Sequence, residues 1–215
     1  MPIKVTVIYR DTAEGVRAQA DAVAAVAWNT GADVRLRRLP GARTENPQPE
    51  HPQGEDPKAE QPHTEQAHAD PKPDPPATAR DLSWADVIVL GAPARDREVF
   101  TLLRSLADSA TASATESAAR EMRNEWERRS AQQVFAVFVT TPAPGTRHGG
   151  LIHSFAITYR PAPGSPDPAP QRSITTLTPT PADDPTLLSL DLARIQTRRC
   201  VELAAALRAA RTLPV

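Results

Sequence analysis

Cysteine occurs once in the 215 residues, at Cys200, so no intramolecular disulfide can form and a thiolate-rich metal site is excluded. Aromatic residues amount to only 4% against 40% hydrophobic overall, enough for one core but a lean one. No apolar run approaches the ~20 residues that a membrane span needs. The opening Met1-Pro2-Ile3-Lys4-Val5 runs straight into a strand-like pattern rather than into a charged region ahead of a signal core, so a cytoplasmic protein is expected. Neither sign of charge prevails: 25 Lys+Arg face 26 Asp+Glu, which removes any overall attraction to nucleic acid or to an anionic membrane. Lysine is scarce, with Lys4, Lys58 and Lys72 alone among 22 arginines, a bias of GC-rich coding that carries no mechanism. Absent too are Gly-x-Gly-x-x-Gly, the Gly-Lys-Ser/Thr phosphate loop, Gly-x-Ser-x-Gly and His-Glu-x-x-His, and with them the sites those motifs build.

Proline, by contrast, is abundant at 23 residues, and it divides the chain. Residues 41–79 hold nine prolines, almost no large apolar side chain, and eight acids against three bases. Such a stretch buries too little apolar surface to offset its ordering entropy, and a disordered acidic loop is expected there. Its His51, His63 and His68 stand among carboxylates without the fixed spacing of a metal site. A shorter Pro-rich loop is expected at 161–171.

Elsewhere strand and helix patterns alternate. Lys4–Tyr9, Val87–Leu90 and Val134–Val139 are β-branched or apolar runs of the kind found in strands covered on both faces. Val34 and Leu36 alternate with Arg35 and Arg37, the pattern of a half-exposed edge strand. Helices are expected over Glu14–Trp28 with Val16, Ala20, Val23 and Ala27 inward and Gly31 as the stop, over about 98–108 and 112–129, and over Leu151–Tyr159. Ile174–Thr178 reads as a weak strand, the fifth, and Thr186–Arg211 as a long amphipathic helix. Its expected inner face is Leu187, Leu190, Ile195, Val201, Leu203 and Leu207. Cys200 sits beside that face, as a small buried residue rather than a reactive thiol. Alternating strands and helices imply a single α/β domain with a doubly wound parallel sheet of about five strands, covering 1–215. Ligands of such sheets bind beyond the carboxyl ends of strands where the strand order reverses, so the loops at 10–16, 92–98 and 140–150 carry the functional expectation.

The segment Ala85-Asp86-Val87-Ile88-Val89-Leu90-Gly91-Ala92-Pro93-Ala94-Arg95, followed by Leu103-Arg104-Ser105-Leu106-Ala107-Asp108, resembles the flavodoxin-like NAD(P)H:quinone oxidoreductases of the Trp-repressor-binding-protein type. There a strand ends in Gly-Thr-Pro-Thr-Arg and a helix carries Met-Arg-x-Phe-Leu-Asp. The last helix, with Ala193-Arg194-Ile195-Gln196 and then Glu202-Leu203-Ala204, is similar to the family's closing helix. The resemblance covers roughly 3–40, 80–160 and 173–210, and implies a flavodoxin-like fold with FMN at the carboxyl edge of the sheet. It also implies NAD(P)H as electron donor, a quinone-like acceptor and a homo-oligomer, dimer or tetramer. The implied phosphate loop is Asp11-Thr12-Ala13-Glu14-Gly15-Val16, the isoalloxazine loop Pro93-Ala94-Arg95-Asp96, and the third flavin loop runs from Thr140-Thr141 to Gly145. Trp126 and His148 fall where the resemblance implies the acceptor pocket.

Side-chain chemistry qualifies that transfer. A flavin phosphate wants hydroxyls and bare N–H groups at a helix N-terminus, yet Asp11 and Glu14 stand where the family has Ser and Gly. Each carboxylate near a phosphate costs roughly 1–4 kcal/mol at an effective dielectric of 80 to 20. Asp11 equally suits a plain helix N-cap, and Arg10 and Arg17 offset the repulsion only if they turn inward. Pro142 and Pro144 remove two backbone donors from the third loop. Arg95, kept from the family pattern, suits either a reduced flavin or an ion pair with Asp96 or Glu98. Two functions therefore stand beside each other: an FMN-dependent NAD(P)H:quinone-type oxidoreductase, and a flavin-free flavodoxin-fold protein with a degenerate phosphate loop acting as a binding or assembly module.

Overall fold

The computed structural model describes residues 1–10, 15–39, 73–94, 96, 101, 132–142, 150–160, 169–177 and 184–212. Its strands are β1 (Lys4–Tyr9), β2 (Asp33–Arg38), β3 (Val87–Pro93), β4 (Val134–Pro142), β5 (Gly150–Tyr159) and β6 (Gln171–Thr176). Three helices are described: α1 (Val16–Asn29), α2 (Ala79–Trp84) and α3 (Pro185–Thr212). All six strands join one sheet in the order β2-β1-β3-β4-β5-β6. The first four are parallel, and β5 and β6 each run antiparallel to the strand before them.

The parallel part has the flavodoxin-like order, with the chain stepping outward from β1 to β2 and then back past it to β3 and β4. The fold is α/β and flavodoxin-like, and its switch point lies between β1 and β3. Two expectations need correction. The sheet has six strands among the described residues rather than about five, and it is not parallel throughout. Leu151–Tyr159, expected as a helix, belongs to β5. Its residues alternate, with Ile152, Phe155 and Ile157 buried while Ala156 and Thr158 are half-buried, and Ile, Phe, Thr and Tyr suit a pleated surface better than a helix. The alternation slips by one at His153 because the β4–β5 register jumps from Val139↔Ser154 to Thr140↔Ile152, a β-bulge that hides the period-2 signal. The expected weak strand is β6; it starts at Gln171, ends at Thr176, and is the sixth strand.

The two faces of the sheet hold separate apolar clusters. Val5, Val7, Val87, Val89, Val134, Ala136 and Phe138 point to the face covered by α1 and α3. Ile8, Ile88 and Leu90 point to the face where Leu82 of α2 packs. Each large side chain so buried contributes about 1.5–3 kcal/mol. In α1 the expected stripe Val16, Ala20, Val23 and Ala27 is fully buried, and Gly31 closes the helix at φ +82°. In α3 the expected inner face is half right. Val201 and Leu207 are buried and Leu203 is half-buried, but Leu187, Leu190 and Ile195 are 61%, 43% and 60% exposed. The buried stripe is instead Ser189, Leu192, Ala193, Gln196, Thr197, Cys200, Val201, Ala204 and Leu207. Small residues dominate it because α3 packs against both α1 and β5, and close approach favours small side chains over the larger leucines.

The edge position expected of Val34–Arg37 is found, with β2 at the end of the sheet. Of the stretch 41–79, residues 73–79 are among those described: Arg38 bridges to Pro76, and Thr78 caps α2. Residues 40–72, the helices expected at 98–108 and 112–129 (Thr101 apart), and 161–168 lie outside the described residues. No described helix is long and apolar enough to cross a membrane.

Candidate functional site

The carboxyl ends of β1, β3 and β4 converge on one edge of the sheet. α1 opens there through Gly15, whose φ of +69° is left-handed and whose missing Cβ makes that turn inexpensive. Gly15 is therefore the N-cap of α1. Asp11 is not, and no acidic residue lies in the first helical turn. Val16 is buried as the first helical residue. Across the edge, the Ala94 amide donates to the Thr140 carbonyl at 2.9 Å, tying the end of β3 to β4 just before Thr141. Gly15, Val16, Pro93, Ala94, Thr140 and Thr141 thus lie at this one edge. Asp11, Thr12, Ala13, Glu14, Arg95, Trp126, Gly145 and His148 lie outside the described residues.

Ion pairs occupy much of this edge. Arg10 follows β1; its amide donates to the Gly91 carbonyl at 3.2 Å, and its guanidinium Nη1 reaches Asp96 Oδ1 at 2.8 Å and Oδ2 at 2.7 Å. The pair bridges the residues after β1 and after β3, across the switch point, with side chains only 20% and 9% exposed. Beside it, Tyr9 Oη donates to Asp74 Oδ2 at 2.7 Å, and Arg17 Nη2 lies 3.6 Å from the same oxygen. In the first turns of α1, Gln19 Nε2 donates to the Gly150 carbonyl at 2.6 Å. Asp21, one turn on from Arg17, has its carboxyl pushed above the usual range by burial, with Asp74 adding and Arg17 opposing. Two buried acceptors at this edge, Gln19 Oε1 and Thr140 Oγ1, have no partner among the described residues.

This arrangement does not fit a flavin phosphate. Both arginines near the mouth of α1 already face a carboxylate, Arg10 with Asp96 and Arg17 with Asp74. An arriving dianion meets those two carboxylates, at roughly 1–4 kcal/mol each. Near the end of β3 the backbone is closely packed on the core: a Cβ on Gly91 would lie 2.2 Å from the ring of Phe138.

Sequence reading missed Tyr9 and Asp74 as members of this edge. A usable signal was present, since Thr78-x-x-Asp81 is a capping-box spacing and ends any disordered stretch shortly before it. Cys200, expected as buried and unreactive, is buried, and desolvation pushes its thiol up to about 12.

No family model matches the chain, and no curated protein matches it. Among solved structures, the flavodoxin of Streptococcus pneumonia TIGR4 overlaps it with a TM-score of 0.31 at 11% identity, over 67% of this chain and 89% of that one. An overlap that small supports no argument, and the fold assignment rests on strand order alone.

Proposed function

We propose that the chain is a flavin-free flavodoxin-fold protein that acts as a binding or assembly module. The observation that carries this reading is the Arg10–Asp96 pair standing across the switch point, where this fold otherwise receives its ligand. An arginine held by two carboxylate contacts at 2.7–2.8 Å is already satisfied and neutralised. It offers a phosphate little that water does not. The assembly half of the reading rests on α3, whose exposed Leu187, Leu190 and Ile195 give an apolar strip for self-association into a dimer or tetramer.

A second reading, the FMN-dependent NAD(P)H:quinone-type oxidoreductase, is favoured by the Thr140 hydroxyl and Gln19 carbonyl at the same edge, which have no partner among the described residues. Both are suited to the polar rim of a ring system. Titrating FMN with the purified protein separates the two. The first reading expects unchanged FMN fluorescence and no visible bands in the protein as isolated. Saturable quenching at micromolar protein overturns it in favour of the second. Sedimentation of the wild type against a Leu187→Asp/Ile195→Asp variant tests the assembly half, with a monomeric wild type as the contrary result.

A further inference from the structure

At the other edge of the sheet, where the strands begin, lies an open cavity of about 700 Å³ lined by Lys4, Trp84, Asp86, Gln133, Arg208 and Arg211 together with neighbouring backbone. Its charges divide into those that hold the fold and those left over. Arg208 is structural: Nη1 donates to the carbonyls of Met1 at 3.0 Å and Pro2 at 3.1 Å, and Nη2 bonds Asp86. Asp86 in turn accepts the Lys4 amide at 2.8 Å. The Lys4 ammonium and the Arg211 guanidinium remain. Lys4 Nζ stands 5.6 Å from the Trp84 ring centroid with no carboxylate in ion-pair reach among the described residues. Arg211 has one hydrogen bond there, to the Gln132 carbonyl at 3.1 Å. Burial lowers its pKa and Asp86 only partly restores it, as for a cation short of partners.

An independent observation comes from Gln133. Its side chain is 3% exposed, and Nε2 donates to the carbonyls of Leu82 at 2.7 Å and Ala85 at 2.8 Å. Two acceptors around one amide nitrogen fix which end is which, so the other end is the carbonyl. That Oε1 is buried without a partner among the described residues. A buried acceptor left unpaired is unfavourable, and a ligand donor placed on it removes the penalty.

We propose that this cavity binds a small organic anion that also carries an N–H or O–H donor. The anionic group lies between Lys4 and Arg211, and the donor meets Gln133 Oε1. The volume falls in the ordinary range for small-molecule sites and admits a ligand of nucleotide size. Asp86 does not repel the anion strongly because Arg208 neutralises it. The site lies on the opposite edge from the proposed flavin-free cleft, so neither proposal depends on the other.

The test uses AMP, citrate and inorganic phosphate as probes on the full chain, by calorimetry and by the side-chain amide resonances of glutamine. At least one probe should bind saturably, shift the Gln133 amide signal, and bind about tenfold more weakly to Lys4→Met/Arg211→Met, since two charge-assisted contacts are lost. That variant should melt with the wild type, because neither removed head group is enclosed by the core. Adenosine, lacking the anion, should not bind. The proposal is overturned if no probe binds at ten-millimolar excess or if the double variant binds as the wild type does. Signals that move at Gly15 and Thr140 instead of Gln133 also overturn it and assign the anion to the carboxyl edge.

Discussion

Asp81 under α2 and Asp96 at the carboxyl edge make an instructive pair. Both carboxylates are nearly enclosed, at 6% and 9% side-chain exposure, and both are held by arginine. Their other partners differ. Asp81 takes Arg35 at 3.2 Å and Arg37 at 3.1 Å from β2, and it completes the capping box of α2 by accepting the Thr78 hydroxyl at 2.7 Å and amide at 3.1 Å. The Arg35 guanidinium also stacks 3.9 Å over Trp84. Asp96 makes its ion pair with Arg10, whose guanidinium is one-fifth exposed. One carboxylate joins an edge strand to the helix that follows it in the chain, and the other spans the place where a ligand would sit. Similar burial and similar partners thus serve folding in one case and the state of a cleft in the other.

The largest effect should come from breaking the first. Removing the carboxylate in Asp81→Ala leaves two arginines and a helix N-terminus without their anion and should destabilise the protein by about 3–5 kcal/mol in urea unfolding. In Asp96→Ala the ion pair with the one-fifth exposed Arg10 is lost, and about 1 kcal/mol is expected. Equal losses in the two variants would erase the distinction. Acid sharpens it. Burial alone would raise the Asp81 carboxyl, but Thr78, Arg37 and Arg35 together hold it below the usual carboxylate range. Its contribution is therefore complete above the unfolded-state value near 4 and disappears as the pH falls through the depressed native value. Asp81→Asn should flatten the acid limb of the stability curve.

What the sequence revealed follows the distance over which each feature is encoded. Buried strands β1, β3 and β4 announce themselves in runs of four to six consecutive residues, and α1 in one stripe, and all were legible. β5 was not, because one bulged residue at His153 breaks its alternation. The inner face of α3 was half legible, because counting large side chains favours Leu187 and Leu190 while the actual contact is lined by Ser189, Ala193 and Ala204. At the candidate site the loops could be located from strand ends, but Arg10–Asp96 joins residues 86 apart and Tyr9–Asp74 joins residues 65 apart. No local pattern encodes such pairs. The Arg35–Asp81 contact is also remote, yet the capping box beside it is four residues long and readable.

A middle-sized effect probes the floor between the two regions. Gly91 faces Phe138, which is fully buried and packs 6.3 Å centroid to centroid from Phe155. Gly91→Ala places a methyl group 2.2 Å from that ring, and a ring so enclosed cannot swing aside. A loss of about 1–3 kcal/mol is expected. Adding Phe138→Leu should return part of it, so the double variant should be more stable than Phe138→Leu and Gly91→Ala effects summed separately would give. Simple additivity would show that the clash is relieved elsewhere and that the edge is less tightly floored than the packing implies.

The smallest effect bears on the cleft itself. If Asp96 and Asp74 exclude an anion by charge, neutralising them without changing shape should recover some affinity. In Asp74→Asn/Asp96→Asn, Arg10 and Arg17 lose the carboxylates at 2.7–3.6 Å, and two negative charges leave the edge that an anion would approach. One to a few kcal/mol of relieved repulsion corresponds to roughly a five- to fiftyfold gain in FMN affinity, read by fluorescence quenching at low salt. Added salt should shrink the gain, because these side chains are partly solvated and screened. If the double variant remains indifferent to FMN at low salt, charge is not what excludes the flavin. The obstacle would then be steric or would reside in Asp11 and Glu14, and returning those two to Ser and Gly in the same background would decide between them.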